Sequence, residues 1–327
     1  MLRPIDEGQP LRPVRPVLSA LLLLAAAWSC STRPERPPGA PLRAVATTSI
    51  VADLVREIGG EAVSLSVLMG PGIDPHMYKP SEGDILRLGE ADAVFYNGLH
   101  LEGRMVEVLE RLDRIGVPSL AVAECIPVDR RIVASGFGGV YDPHVWFDVR
   151  LWRFAARCTA DELRRLLPRR AEEIERRARD YDRRLERLHS WVAERLAAVP
   201  PRRRILITAH DAFSYFGRAY HVEVRGLLGL NTAAEAGAAD VAALAELIAT
   251  RKIPAVFVES SVPRRYVRAL IEAASARGAR VRIGGTLYSD ALGDPGSPAG
   301  TYEGMVRSNV ETLVAGLVGD GDAPARR

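Results

Sequence analysis

Lysine is almost absent from this chain of 327 residues: Lys79 and Lys252 are the only two, and arginine supplies the rest of the positive charge. Acidic residues nearly balance it, leaving a formal net charge of +3. A dense charged stretch, "AEEIERRARDYDRRLERL", mixes both signs, as on a solvated helix face rather than a nucleic-acid stripe. Aromatics are scarce at 6%, and no basic run carries the series of stacking rings that single-strand binding needs. Nucleic acid is thereby excluded as a partner. Catalytic signatures are missing too: no HExxH helix and no GxSxG turn occurs. Past the first 30 residues no apolar run is long enough to span a bilayer.

What remains is a soluble globular composition, 47% hydrophobic and 26% charged, with a distinctive start. Arg3, Arg12 and Arg15 precede "VLSALLLLAAAW", which has the length of a signal-peptide core and is too short to cross a membrane comfortably. Ser29 and Cys30 follow, in the manner of a bacterial lipoprotein cleavage site, although Trp28 is unusual two places before the cysteine. Export is therefore expected, with a lipid anchor at Cys30; ordinary cleavage nearby and a free soluble protein is the alternative. The Pro/Arg-rich "STRPERPPGAPLR" reads as a tether that does not fold. Cys125 and Cys158 remain, and an exporting route permits either a disulfide or two buried thiols.

From Ala44 apolar runs alternate with amphipathic helical stretches, the pattern of an α/β fold. "AVATTSI", "VSLSVLM", "DAVFYNGL" and "PSLAVAEC" read as strands, and Ser81 with Asp84 as a helix-opening capping box. A second cycle starts near Arg203: "RILITAH", "HVEVRGLLG", "AVFVESS" and "RVRIGGTLYSD" are strands with helices between them. Between the cycles, Arg169 to Val199 has no glycine and no proline. Ile174, Ala178, Tyr181, Leu185, Leu188, Val192 and Leu196 recur at three- and four-residue spacing, so one rigid helix is expected, with Pro168 at its first position. The division is a signal peptide over 1–29, a tether over 30–43, an N-terminal lobe over 44–167, a linking helix over 168–200, a C-terminal lobe over 201–318 and a tail over 319–327.

Six histidines occur, and two lie in a repeated triplet: "GIDPHMYKP" holds His76 and "YDPHVWFDVRLW" holds His144. Proline biases the residue before it toward extended geometry, so each triplet reads as a strand exit that fixes the direction of an imidazole. A turn whose histidine only fills space is the alternative reading. His210 closes "RILITAH" and Asp290 follows "IGGTLYS". Three imidazoles and a carboxylate suit a tetrahedral metal site, but gaps of 68, 66 and 80 residues are nothing like a local zinc motif.

Taken together, "GPGIDPHMYKPSEGD", "FYNGLHLEGRM", "DPHVWFDVRLW", "LITAHDAFSYFGRAY", "FVESSVP" and "YSDALGDPGSPAGTY" resemble, in order and spacing, the TroA-like solute-binding proteins of zinc and manganese ABC importers. The resemblance spans about Ala44 to Val318. It implies two α/β lobes joined by a long rigid backbone helix, with metal in the interlobe cleft. Its ligand set carries over to His76, His144, His210 and Asp290, and it implies an ABC-type membrane permease as partner. The captured ion is expected to be Zn2+ first, Mn2+ or a dual role next and iron third, in a monomeric binder that is not an enzyme. The His-rich loop of some zinc-specific relatives is missing.

The other polar residues take plainer expectations. Asp74 and Asp142 fix the triplet turns, and Glu259, which ends a strand near the cleft, is a candidate to support a ligand histidine by hydrogen bonding. His100 sits in a loop or behind the ligands, His189 lies on the surface, and His221 begins a strand. An exported metalloenzyme would need an open coordination position and a nearby base, for which Glu259 is the only candidate; a surface adhesin has no dedicated feature.

Overall fold

The computed structural model describes residues 36–37, 39–134, 139–230, 232–233 and 236–318. The leader, Cys30, half of the tether over 30–43 and the tail lie outside the described residues. The tether's last two residues, Leu42 and Arg43, are not unfolded but begin the first strand. From Ala40 onward the chain forms one compact unit.

Strand β1 (Leu42–Thr48) is largely buried along its length, as expected of a strand covered on both faces in a parallel sheet. Its last residue turns the chain: the Thr48 hydroxyl accepts from Val51 N at 3.2 Å and caps α1 (Ser49–Gly59), so the helix begins inside "AVATTSI". Next come β2 (Val63–Met69), α2 (Glu82–Glu90), β3 (Ala93–Tyr96), the short α3 (Val106–Leu109) and β4 (Ser119–Ala121). The four strands are parallel in the order β2-β1-β3-β4. Ser81 and Asp84 form the anticipated capping box of α2. β4 is shorter than its apolar run, because the chain tightens into a 3-10 turn at Val122–Cys125. There Cys125 is bonded to Cys158 of α4 (Val149–Leu166), with Cα atoms 6.2 Å apart. The two cysteines are a disulfide.

Pro168 opens a 3-10 turn that leads into α5 (Ala171–Ala197). Its 27 residues make a rod of about 40 Å at ~1.5 Å per residue. Glu172 and Glu173 in the first turn and Arg195 in the last complement the helix dipole. The expected apolar face is buried at Ile174, Tyr181, Leu185, Leu188, Val192 and Leu196, with Ala178 partly covered.

The second half runs β5 (Ile205–His210), α6 (Ser214–Tyr220), β6 (Glu223–Leu228), α7 (Ala238–Arg251), β7 (Ala255–Glu259), α8 (Arg265–Ser275), β8 (Arg282–Leu287) and α9 (Tyr302–Val318). The four expected strands form, but as two parallel pairs, β5-β6 and β7-β8, rather than one ladder. Two histidines depart from expectation. His221 does not begin a strand: it caps the C-terminus of α6 in the left-handed region, φ 56 and ψ 45. His189 is not bare surface: its ring packs on Tyr220 and its Nδ1 lies 3.1 Å from that phenol oxygen, because α6 passes over this turn of α5.

One large core runs through both halves. Leu42, Phe95 and Trp152 from the first, Leu206, Leu287 and Met305 from the second, and Tyr181 and Leu185 of α5 belong to the same buried cluster. Polar ties follow the same path. The Tyr302 N–H donates to Asp53 at 2.9 Å, Leu292 N to Ser49 Oγ at 2.9 Å, and Trp146 Nε1 to Ser289 O at 3.1 Å. Among the described residues no helix is long and apolar enough to cross a membrane.

Candidate metal centre

Each donor is aimed by its own local device. In both triplets an aspartate folds back on the histidine two residues later. Asp74 Oδ1 accepts from His76 N at 2.9 Å and Asp142 Oδ1 from His144 N at 2.9 Å, an Asx turn that fixes the backbone beneath the ring. Asp142 does more than shape the turn, since the same oxygen lies 2.8 Å from His144 Nδ1. Asp74 reaches the second half, where Thr232 Oγ1 donates to its other oxygen.

His210 ends β5, and Glu259 ends β7 beside it. Glu259 Oε1 accepts from His210 N at 2.9 Å, while Oε2 lies 2.6 Å from Nδ1. Glu259, a candidate from the sequence to support a histidine of the site, thus holds His210. Gly226 of β6 lets that strand pass close against the end of β5 that carries His210. A Cβ there would lie 2.4 Å from Asp211 N and 2.6 Å from the His210 carbonyl carbon, closer than backbone atoms tolerate.

Asp290 lies three residues past the end of β8. Its Oδ2 accepts from Ser261 Oγ at 2.8 Å, and its Oδ1 lies 3.5 Å from both His144 Nε2 and His210 Nε2, longer than a hydrogen bond. His76 Nε2 is 3.3 Å from His144 Nε2. One donor atom from each of His76, His144, His210 and Asp290 falls within 4.8 Å of the others, and all four residues are buried. The structure thus brings the four expected residues together. His210 Nε2 and Asp290 Oδ1 are buried without a hydrogen-bond partner among the described residues. Orphaned buried polar atoms are rare and need an explanation, and a shared cation between them supplies one.

The electrostatics agree with a cation site. Burial pushes the His76 ring down to about 3, against the pull of Asp290. Burial also works against charging His144, but Asp142 and Asp290 outweigh it and carry the ring up to about 9. His210 is raised in the same way by Glu259 and Asp290. Burial would raise the Asp290 carboxyl, yet the surrounding imidazoles hold it well below the usual range. The carboxylates around the cluster therefore favour positive charge there, and a divalent ion would take the place of protons.

Ser261, Thr232 and Gly226 were not foreseen. Ser261 lies inside the motif "FVESSVP", but its bond to Asp290 depends on β7 pairing with β8. No local pattern announces such a contact.

Two α/β halves braced by one long helix, with a buried polar cluster drawn from both, define a two-lobed binding protein. More particularly, the chain belongs to the family described as zinc-uptake complex component A, periplasmic, whose model matches residues 44–316. It is 45% identical over 301 residues to the zinc-binding protein TroA of Treponema pallidum, spanning 92% of this chain and 96% of that one. It is 44% identical over 276 residues to the manganese-binding lipoprotein MntA of Bacillus subtilis, spanning 84% and 90%. The solved structure of the periplasmic zinc-binding protein TroA of Treponema pallidum matches with a TM-score of 0.82 at 47% identity, covering 85% of this chain and 99% of that one. The expected architecture and family both hold.

Proposed function

We propose that this protein captures a divalent transition metal outside the cytoplasm, zinc first and manganese second, and delivers it to an ABC-type permease. His76, His144, His210 and Asp290 are the holding ligands in this reading. The observation that carries it is the convergence of four buried donors, two of them orphaned. The relatives' names, one zinc-binding and one a manganese-binding lipoprotein, support the class of cargo. Three nitrogens and one oxygen favour zinc over manganese in the general affinity order. Ser261 on Oδ2 favours Asp290 binding through one oxygen, which keeps the coordination number low.

The reading makes the protein a binder, not an enzyme. Four protein ligands leave no open position for a water, and Glu259, the only candidate base, is engaged by His210. The lobes are assigned to 44–167 and 201–318, with 168–200 linking them. The leader motif supports export, with lipid on Cys30 and a monomer tethered near its permease; labelled fatty acid should enter the wild-type chain and not Cys30→Ala. Competition titration of metal-free protein tests the central claim. Zinc should bind more tightly than manganese. Asp290→Ala should lose about 3 kcal/mol or more, as when one partner of a buried charged set is removed, or roughly a hundredfold in affinity. Manganese binding ahead of zinc would reverse the ranking, and an unchanged Asp290→Ala would remove the site.

A further inference from the structure

Leu99 and His100 are consecutive non-glycine residues with positive φ, 51 and 64. In that region Cβ crowds the following carbonyl, and two such residues in a row persist only where the surroundings enforce them. The enforcement is visible. Buried Glu102 accepts from Asn97 N at 2.7 Å, Gly98 N at 3.1 Å and Thr47 Oγ1 at 2.7 Å. Asn97 Nδ2 in turn donates to Pro143 O at 3.1 Å, tying the turn to the second triplet. Leu99 is buried by this arrangement, and His100 is turned out to solvent.

The turned-out ring stands at the mouth of the metal centre. A cavity of about 300 Å3 is lined by His76 and His100 together with Leu99, Tyr141, Pro143 and Leu230. Of the four holding donors only His76 lines it. His76 is also the most exposed of them, at 7% against 0% for His144 and His210 and 1% for Asp290. Gly103 joins the two histidine turns: a Cβ there would lie 3.7 Å from His100 O and 3.8 Å from His76 O. Apart from the two imidazoles and the Tyr141 phenol, the lining is apolar or glycine. A hydrated dication entering there must exchange waters for protein donors one at a time, and His100 is the outermost imidazole it meets.

We propose that His100 is a transit ligand, which takes the ion at the mouth and passes it to His76, and on release receives it back. It speeds exchange in both directions without being one of the holding donors. This rests on the metal-capture reading above.

Stopped-flow mixing of the full chain with zinc, and of the zinc-loaded chain with excess chelator, tests it. His100→Asn is the telling variant, because asparagine tolerates the left-handed region and keeps the turn while removing the imidazole. Association and release should both slow by about tenfold, leaving Kd within about twofold, whereas most interface changes alter release alone. His100→Ala should behave the same way. Wild-type exchange rates in His100→Asn would overturn the proposal, since a purely structural role for this residue predicts that result. Faster release with unchanged association would overturn it too, by making His100 a holding ligand. Failure of the wild-type chain to bind zinc would overturn the capture reading itself, and the transit role with it.

Discussion

Asp290 has two oxygens with different duties, and Ser261 divides them. Oδ1 faces the imidazoles while Oδ2 accepts from the Ser261 hydroxyl at 2.8 Å and, more weakly, from the Ser289 hydroxyl at 3.3 Å. Removing the stronger of these two bonds would make it easier for the carboxylate to bind through both oxygens, the higher-coordinate, oxygen-rich setting that manganese prefers. Ser261→Ala should therefore narrow the gap between zinc and manganese affinities in competition titration, while a ratio equal to wild type would show that the hydroxyl has no say in selectivity. At this scale the sequence was partly legible. His76, His144 and Asp290 sit at loop positions and His210 at a strand end, all inside recognisable motifs, whereas their spacing says nothing. Asp142 could be suspected because it lies two residues from His144. Thr232 could not, since it meets Asp74 across 158 residues and only the folded chain brings them together.

Helices α1 and α9 meet through one carboxylate. Asp53 of α1 accepts from the Tyr302 N–H at the start of α9, and burial carries its pKa up to about 6. A carboxyl raised in the folded state binds its proton more tightly there than in the unfolded chain. Its contribution to stability is full below the ordinary value of 3.8 and is lost as pH rises to about 6. Asp53→Asn keeps an acceptor for Tyr302 without the charge. It should raise stability well above pH 6 by about 3 kcal/mol, a gain that fades below pH ~4. Denaturant unfolding at two pH values checks this, and an equal shift at both would defeat the linkage. Elements with a clear period were legible: α5 lies where its apolar face placed it, and all eight strands among the described residues were found. Their ends were less so, because capping by Thr48 and the Cys125 turn cut into apolar runs that continue past them. α9 was not foreseen, although Tyr302, Met305, Val306, Val310, Leu313, Val314 and Leu317 are buried at three- and four-residue spacing on one face of it; Asn309 and Gly316 on that same face weaken the apolar signal.

For the whole molecule, the shared core matters more than the division into halves. A wide hinge motion would have to open a buried cluster that includes residues of both halves and of α5. It would also have to break Trp146–Ser289 and Tyr215 Oη–Asp142 O, the latter at 3.1 Å. Such close packing resists continuous deformation. X-ray scattering curves of metal-free and zinc-loaded protein should therefore nearly superpose, and a marked compaction on loading would count against a rigid frame. The wide separation of the donors along the chain has a further, kinetic consequence. Positions 76, 144, 210 and 290 converge only when the last strand, β8, has paired with β7 and carried Asp290 inward. Contacts of such long range carry a large loop-closure cost, which slows folding. An ion that binds only the finished cleft, and not the folding transition state, would slow unfolding and leave the folding rate untouched. Metal lengthens the life of the native state without hastening its birth.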